Sequence, residues 1–122
     1  MKLLNRSALM LQPLPAFIDW INTLPKELSE LDAPLAVDAL DDEGRVYLVA
    51  EFAAEGAPAR LLDSVLTEHW QNLLENELAV WDELGSHWPE PLTQELLPQW
   101  FEIKPLALAF DADESPLMTA LL

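Results

Sequence analysis

The chain contains no cysteine among its 122 residues. Disulfides and metal sites built on thiolates are therefore excluded, and the absence is compatible with a cytoplasmic location. Glycine is scarce, with three residues, so no glycine-rich loop can cradle a phosphate. The two histidines form neither a His-Glu-x-x-His nor a Glu-x-x-His motif. The sequence therefore predicts no cofactor and no metal ligand.

Long apolar runs are also missing. The first apolar stretch, Ala8 to Leu11, ends at Gln12 and Pro13, whereas a secretory signal needs roughly 7 to 15 apolar residues. No run reaches the roughly 18 residues that span a bilayer. We therefore expect a soluble, cytoplasmic protein with no membrane segment.

Basic residues are few. Six Lys and Arg oppose 22 Asp and Glu, which gives a formal net charge of -16. Such a surface repels nucleic-acid phosphates and anionic lipid headgroups, so direct binding to either is not expected. The charge favours a basic protein as partner, or it serves solubility alone.

What the chain does have is apolar mass: 51% of it is hydrophobic, with five Trp and four Phe. That content suffices for the core of one domain covering residues 1–122. The apolar end of the chain, within 111–122, could pack against that core. The pattern of elements predicts an α+β fold in the order β-α-β-α(α)-α-β. We expect a small three-stranded sheet, mixed or antiparallel, covered by helices mainly on one side.

Three segments have the pattern of strands. Ser7 to Leu11 is the first. Val46 to Phe52 is the strongest, because it is apolar on both faces, and this predicts the central strand with Ser7 to Leu11 as a neighbour. Phe101 to Phe110 is the last, and Pro105 within it predicts an edge position or a bulge, since proline donates no ladder hydrogen bond.

Helical spacing occupies the intervening segments. A helix is expected from about Pro15 to Leu24, since proline is tolerated in a first turn. Residues 58–83 predict either one bent helix or two helices broken near His69. Residues 93–100 predict a short helix, which Pro98 weakens.

No catalytic constellation emerges. The run Asp111 to Ser115 imitates the start of a calcium loop, but Pro116 stands where that loop needs Gly and Leu122 where it needs Glu. No serine lies in a Gly-x-Ser-x-Gly motif. Twenty-two acids always offer carboxylate pairs, so such pairs carry no specificity. We predict no catalytic residue.

Trp88 is the one tryptophan outside the helical segments. It lies in a loop bracketed by Gly85, Pro89 and Pro91, which predicts a stiff segment. We predict Glu83, Trp88 and Glu90 as part of a partner contact, since tryptophan often carries interface energy. The alternative is that Trp88 caps the long helix against the core.

Several stretches resemble a group of small acidic proteobacterial proteins. They are Arg6-Ser7-Ala8-Leu9-Met10-Leu11, Pro15-Ala16-Phe17-Ile18-Asp19-Trp20-Ile21-Asn22, Val46-Tyr47-Leu48-Val49-Ala50-Glu51-Phe52 and Glu68-His69-Trp70. The matching residues are those of packing and none is chemical. The group has no established activity, so the resemblance implies a free-standing cytoplasmic domain and assigns no functional residue.

The function that these features favour is a non-enzymatic, acidic interaction or accessory protein that binds a basic partner. The alternatives are a small hydrolase built from carboxylates and a histidine, or a small-ligand-binding domain. An enzyme predicts a cleft on which His69 or His87 converges with perturbed acids. A binding protein predicts a convex acidic face. The oligomeric state is left open.

Overall fold

A three-stranded antiparallel sheet organises the chain in the computed structural model, which describes residues 1–51 and 57–122. The sheet has the order β3–β2–β4. A short ribbon pairs β1 with β5, also antiparallel. The α+β prediction is therefore confirmed, with the antiparallel alternative. The strands are β1 (Lys2–Leu3), β2 (Arg6–Pro13), β3 (Arg45–Ala50), β4 (Phe101–Leu106) and β5 (Phe110–Asp111).

The central strand is β2, and the prediction that Val46 to Phe52 lies in the centre is wrong. Ala8 of β2 lies opposite Leu48 of β3 on one side and Leu106 of β4 on the other. Val46 is 62% exposed and Leu48 47% exposed. The apolar run in β3 is two-sided, yet only one of its faces is covered by described parts of the chain. Phe52 lies outside the described residues.

Pro105 lies in β4, at an edge of the three-stranded sheet, as the sequence predicts. It faces Leu9 across the ladder. An edge strand needs donors on one side only, so a proline there leaves the sheet intact.

The helices follow the predicted order. They are α1 (Pro15–Thr23), α2 (Lys26–Ser29), α3 (Ala57–Ser64), α4 (Trp70–Ala79) and α5 (Leu96–Trp100). A π-helical turn, Val65–His69, joins α3 to α4. The segment is thus one helical path with a wide turn ending at His69, where the sequence predicts a bend or break. Such a turn rotates the apolar stripe between the two halves of the path.

The core lies between the inner face of the sheet and the helices. Phe17 of α1 is at its aromatic centre: its ring lies 4.7 Å from that of Phe101, 5.6 Å from that of Trp20 and 6.0 Å from that of Trp100. These distances suit tilted or offset aromatic contacts. The buried side chains around them are Leu9, Leu11, Ile18, Ile21, Leu24, Leu40, Val49, Leu73, Leu74, Leu78 and Leu97.

The apolar end of the chain does not join this core. All side chains from residue 112 to residue 122 are exposed. Lys2 holds the start of the segment through hydrogen bonds from its Nζ to the carbonyls of Asp113 and Glu114. Across the described ranges, 1–51 and 57–122, no helix has the length and apolar character to cross a bilayer.

Candidate functional site

A carboxylate lies inside the fold at Glu77, on the face of α4 that packs against the sheet. Its residue surface is 3% exposed. Leu73, Leu74 and Leu78 flank it on the same helix and are buried. Burying a charge is costly unless hydrogen bonds and a counter-charge accompany it. The partners of Glu77 therefore decide what this position does.

Glu77 has those partners on the neighbouring strand β3. The Tyr47 hydroxyl donates a short hydrogen bond to Oε2 of Glu77, and Nη1 of Arg45 lies 3.4 Å from the same oxygen. Asn76 Nδ2 in turn donates to the Tyr47 hydroxyl oxygen at 2.9 Å. We call Arg45, Tyr47, Asn76 and Glu77 the Glu77 cluster. It joins an edge strand to α4 through polar contacts.

Burial dominates the titration of this cluster. Desolvation raises the pKa of Glu77 above its usual range, and the Tyr47 hydrogen bond and the Arg45 charge partly offset that rise. Desolvation also raises the pKa of Tyr47, and the Glu77 carboxylate raises it further. A raised carboxyl pKa is typical of a general acid or base, but also of structural ion pairs.

The space beside Glu77 bears on whether a ligand can reach the carboxyl. The adjoining cavity has a volume of about 60 Å³ and is lined by Phe17, Leu40, Glu43 and Trp81 among others. That volume corresponds to about two water molecules, whereas ligand pockets measure roughly 300–1,000 Å³. The cavity is therefore much smaller than an ordinary ligand pocket. The hydrogen bond from Tyr47 and the ion pair with Arg45 connect β3 to α4 at this point.

A larger surface cleft, of about 290 Å³, lies where α1 ends and α2 begins. Lys26 and Asp32 face each other there, with Nζ and Oδ1 3.1 Å apart, and both side chains are mostly exposed. The cleft is open to solvent and holds no buried titratable group. Neither histidine lines this cleft or the cavity beside Glu77.

The turn after α4 is built around the buried carboxylate of Asp82. Its Oδ2 accepts a hydrogen bond from the backbone N–H of His87 at 2.7 Å. The Trp88 indole N–H donates to the carbonyl of Asp82 at 2.9 Å. Trp20 closes the turn from α1, since its indole N–H donates to the His87 carbonyl at 3.0 Å. We call residues 82–91 the Asp82 turn.

Gly85 has a positive φ of 76° within this turn. A Cβ at that position would lie 3.3 to 3.4 Å from the Trp88 ring. The left-handed backbone therefore favours glycine at this position, and an added Cβ would also lie tightly against the indole.

Of the predicted contact residues, Glu83 and Glu90 are exposed, and Trp88 is half-buried against the core. The indole N–H, which is the only polar group of the Trp88 side chain, already donates a hydrogen bond within the turn. Trp88 thus holds the Asp82 turn together, and the two glutamates lie on its exposed surface. His87 extends its ring next to Asp82, with 3.7 Å between Nδ1 and Oδ2.

A second acidic segment, which is not among the residues predicted as a partner contact, lies between α2 and β3. We call residues 38–43 the acidic loop; Asp38, Asp41, Asp42 and Glu43 in it are exposed. The loop contains no basic residue. Leu40 buries its side chain in the core, and Gln12 of β2 donates from Nε2 to the Leu40 carbonyl at 2.8 Å.

The remaining histidine, His69, ends the π-helical turn and is 3.9 Å from Glu68, a surface pair. The two histidines thus lie on different elements and neither accompanies Glu77. Over the described ranges, no group of three or more His, Asp or Glu side chains is placed to hold a metal ion.

The Glu77 cluster was missed by sequence reasoning, although one signal was present. Glu77 follows Leu73 by four residues and precedes Trp81 by four, which places an acid within the apolar stripe of a helix. Arg45 and Tyr47 share the inner face of their strand. What the sequence does not reveal is that the two elements meet.

Comparison of the chain with protein-family models, with curated proteins and with solved structures gives no match. The resemblance to small acidic proteobacterial proteins stays an expectation of the sequence.

Proposed function

We propose that this protein is a non-enzymatic, cytoplasmic interaction protein whose acidic loop binds a basic protein partner. The observation that carries the proposal is the acidic loop itself. Four carboxylates lie within six residues, all exposed and without a basic residue among them. Clustered charge of one sign steers an oppositely charged partner and speeds its encounter.

The order of the loop supports a binding role. Successive turns are closed by hydrogen bonds from Ala39 to Ala36, from Asp41 to Asp38 and from Glu43 to Leu40. Together with the buried Leu40, these bonds fix the backbone before any partner arrives. A preformed loop loses little conformational entropy on binding.

The acids of the Asp82 turn extend the proposal. Glu83 and Glu90 are exposed on a turn that Asp82 and Trp88 hold rigid. We include these two glutamates in the partner contact and assign Trp88 a supporting role. Their contribution is electrostatic, since surface carboxylates influence association rate and specificity more than affinity.

The hydrolase alternative gains less support. The carboxyl best suited to act as an acid or base in such an enzyme is that of Glu77, and it faces a cavity of only about 60 Å³. The histidines lie elsewhere on the surface. A binding function needs neither a cleft nor a convergent base.

Affinity capture from a cell lysate, with identification by mass spectrometry, tests the proposal. The decisive variant is Asp41→Asn/Asp42→Asn/Glu43→Gln, which removes three charges and keeps side-chain size. We expect capture of basic proteins by the unmodified chain and at least a tenfold loss with this variant. Binding to the identified partner should also weaken as NaCl is raised from about 50 to 300 mM.

The matched control removes the same number of charges elsewhere, through Asp19→Asn/Glu27→Gln/Glu95→Gln, all at exposed positions. It should retain the partner. Equal losses with both triple variants would mean that net charge alone attracts basic proteins, and the acidic loop would then have no specific role.

A further inference from the structure

The face of the sheet that points away from the helices is apolar, which is unusual for a solvated face. We call it the outer face. Antiparallel sheets commonly cover one face with the core and present polar residues on the other. Here the positions that alternate with the core residues are Ala8 and Met10 of β2, Val46, Leu48 and Ala50 of β3, and Leu106 of β4.

The apolar surface continues along the β1–β5 ribbon. Leu3 pairs directly with Phe110, and the Leu4 N–H donates to the Ala109 carbonyl at 2.9 Å, so the ribbon prolongs the β2–β4 pair. Exposed and partly buried residues alternate from Leu106 through Leu108 to Phe110. Leu108 and Phe110 thus continue the exposed apolar surface beyond Leu106, although residues 107–109 lie between the two strands.

Exposure confirms that the described chain leaves this surface open. Leu106 is 42% exposed, Leu108 61% and Phe110 57%, and Leu48 and Val46 are exposed to a similar degree. Ala8, which lies between Leu48 and Leu106, is buried. Contiguous apolar patches of this kind mark interaction sites, whereas single exposed leucines do not.

The charge of the outer face sets it apart from the remainder of the protein. Arg6 and Lys104 lie on it with one acid, Glu102, a formal charge of +1. The other four basic and 21 acidic residues of the chain sum to -17. A basic partner therefore gains nothing at the outer face. An uncharged, apolar surface fits it, and a second copy of this chain carries one.

We propose that the outer face is the interface of a homodimer. The acidic loop and the Asp82 turn would each bring negative patches together, so two copies approach through the outer face at a lower electrostatic cost than through either of these. Contact buries the leucines of β3, β4 and the ribbon against their counterparts.

The dimensions of the face predict a weak dimer. Leu3 to Gln12 is nine residue steps, which at about 3.4 Å each gives roughly 30 Å, and three strands at about 4.8 Å give roughly 14 Å. Three strands lie side by side over only part of this length. The flat projection is therefore at most about 400 Å², below the roughly 800 Å² of accessible surface that each partner gives to a standard interface. We expect dissociation in the micromolar range.

The dependence of the dimer on salt distinguishes this contact from the binding of a basic partner. Two copies of charge -16 repel one another beyond the interface, and added salt screens that repulsion while apolar burial is retained. The dimer should therefore strengthen as NaCl rises. Binding of a basic partner weakens under the same change, so failure of the dimer and failure of the proposed function are separate results.

Sedimentation equilibrium of the full chain tests the proposal, from about 1 µM to 1 mM protein in about 50 and 500 mM NaCl. We expect the mass to rise from 13.7 kDa toward twice that value with concentration, at lower concentration in high salt. Leu48→Lys and Leu106→Lys should each raise the dissociation constant at least tenfold. Both residues are exposed, so both variants should fold, which circular dichroism and thermal melting check.

The matched control is Leu84→Lys, the same substitution at a leucine that is 90% exposed on the Asp82 turn, away from the sheet. It should dimerise like the unmodified chain. A monomer mass at every concentration and both salts would overturn the proposal, as would a loss caused equally by Leu84→Lys. A third result would also overturn the proposal. If a chain that ends at Pro116 no longer dimerises while the Leu48→Lys variant still does, the contact belongs to residues 117–122 and not to the outer face.

Discussion

Tyr47→Phe removes one hydroxyl from the Glu77 cluster and leaves the ring in place. Glu77 then loses the hydrogen bond to its Oε2, and the Asn76 amide loses its acceptor. A hydrogen bond to a charged group is worth about 1.5–3 kcal/mol. Glu77 is buried, so a water that replaces the missing donor must enter the small cavity beside it. We expect the free energy of unfolding to fall by about 1.5–3 kcal/mol at pH 8.

The cost of this substitution depends on pH in a defined direction. Burial already raises the pKa of Glu77 from its ordinary 4.5, and the Tyr47 hydrogen bond opposes the rise. A raised folded-state pKa contributes stability that is complete below the ordinary value and is lost as pH increases through the folded-state pKa. Tyr47→Phe raises that pKa further, so more stability is lost on the alkaline side. The substitution should cost more at pH 8 than at pH 5.

Urea unfolding followed by tryptophan fluorescence measures both costs. The lower pH is kept at 5 because the sequence pI is about 4.1, near which the protein would associate. The control is the same Tyr47→Phe substitution in a Glu77→Gln background, in which residue 77 carries no charge. There the cost should fall to about 0.5–1.5 kcal/mol and become independent of pH. With Glu77 unchanged, Tyr47→Phe could lower the free energy of unfolding by less than about 0.5 kcal/mol at pH 8, or by the same amount at both pH values. Either result would refute the stabilising role given to the cluster.

Three further changes test the fold. Leu9→Ala, in the buried centre of β2, should lower the free energy of unfolding by about 2–5 kcal/mol. Leu48→Ala should lower it by less than about 1 kcal/mol, because the Leu48 side chain is half exposed. A larger loss at Leu48 would indicate that β3 is the buried central strand after all. Trp88→Ala should lower the melting temperature by several degrees, because the indole bonds and packs within the Asp82 turn. If the variant instead fails to capture the partner while its stability is unchanged, Trp88 is a contact residue. The melting temperature should rise between about 20 and 500 mM NaCl, because screening reduces repulsion among the excess acids; a fall would mean that local ion pairs dominate.

The strand and helix pattern could be predicted because local rules determine it. Pro15 and Pro25 bracket α1, and Pro105 belongs to an edge strand. The position of β3 could not be predicted in the same way. A run that is apolar on both faces shows that both faces avoid water, but it does not show whether this chain or another covers the second face. The error at β3 and the proposed interface on the outer face have the same origin.

The Glu77 cluster escaped prediction for a different reason. An acid in the apolar stripe of a helix signals a buried partner, yet Tyr47 lies 30 residues away from Glu77 in sequence and on another element. Only the packing of β3 against α4 brings them together. The acids of the acidic loop are plain in the sequence, but the attachment of the loop to the core through Leu40 and Gln12 follows from the tertiary fold.

The two proposals are linked by charge. A basic partner on the acidic loop cancels part of the repulsion that opposes dimer formation, so it should tighten contact through the outer face. By reciprocity, a dimer presents twice the negative charge and should bind the same partner more tightly. The coupling must vanish at high salt, where repulsion is screened, although the dimer itself persists. Partner binding that leaves the dimer dissociation constant unchanged at about 50 mM NaCl would show that the acidic loop and the outer face act independently.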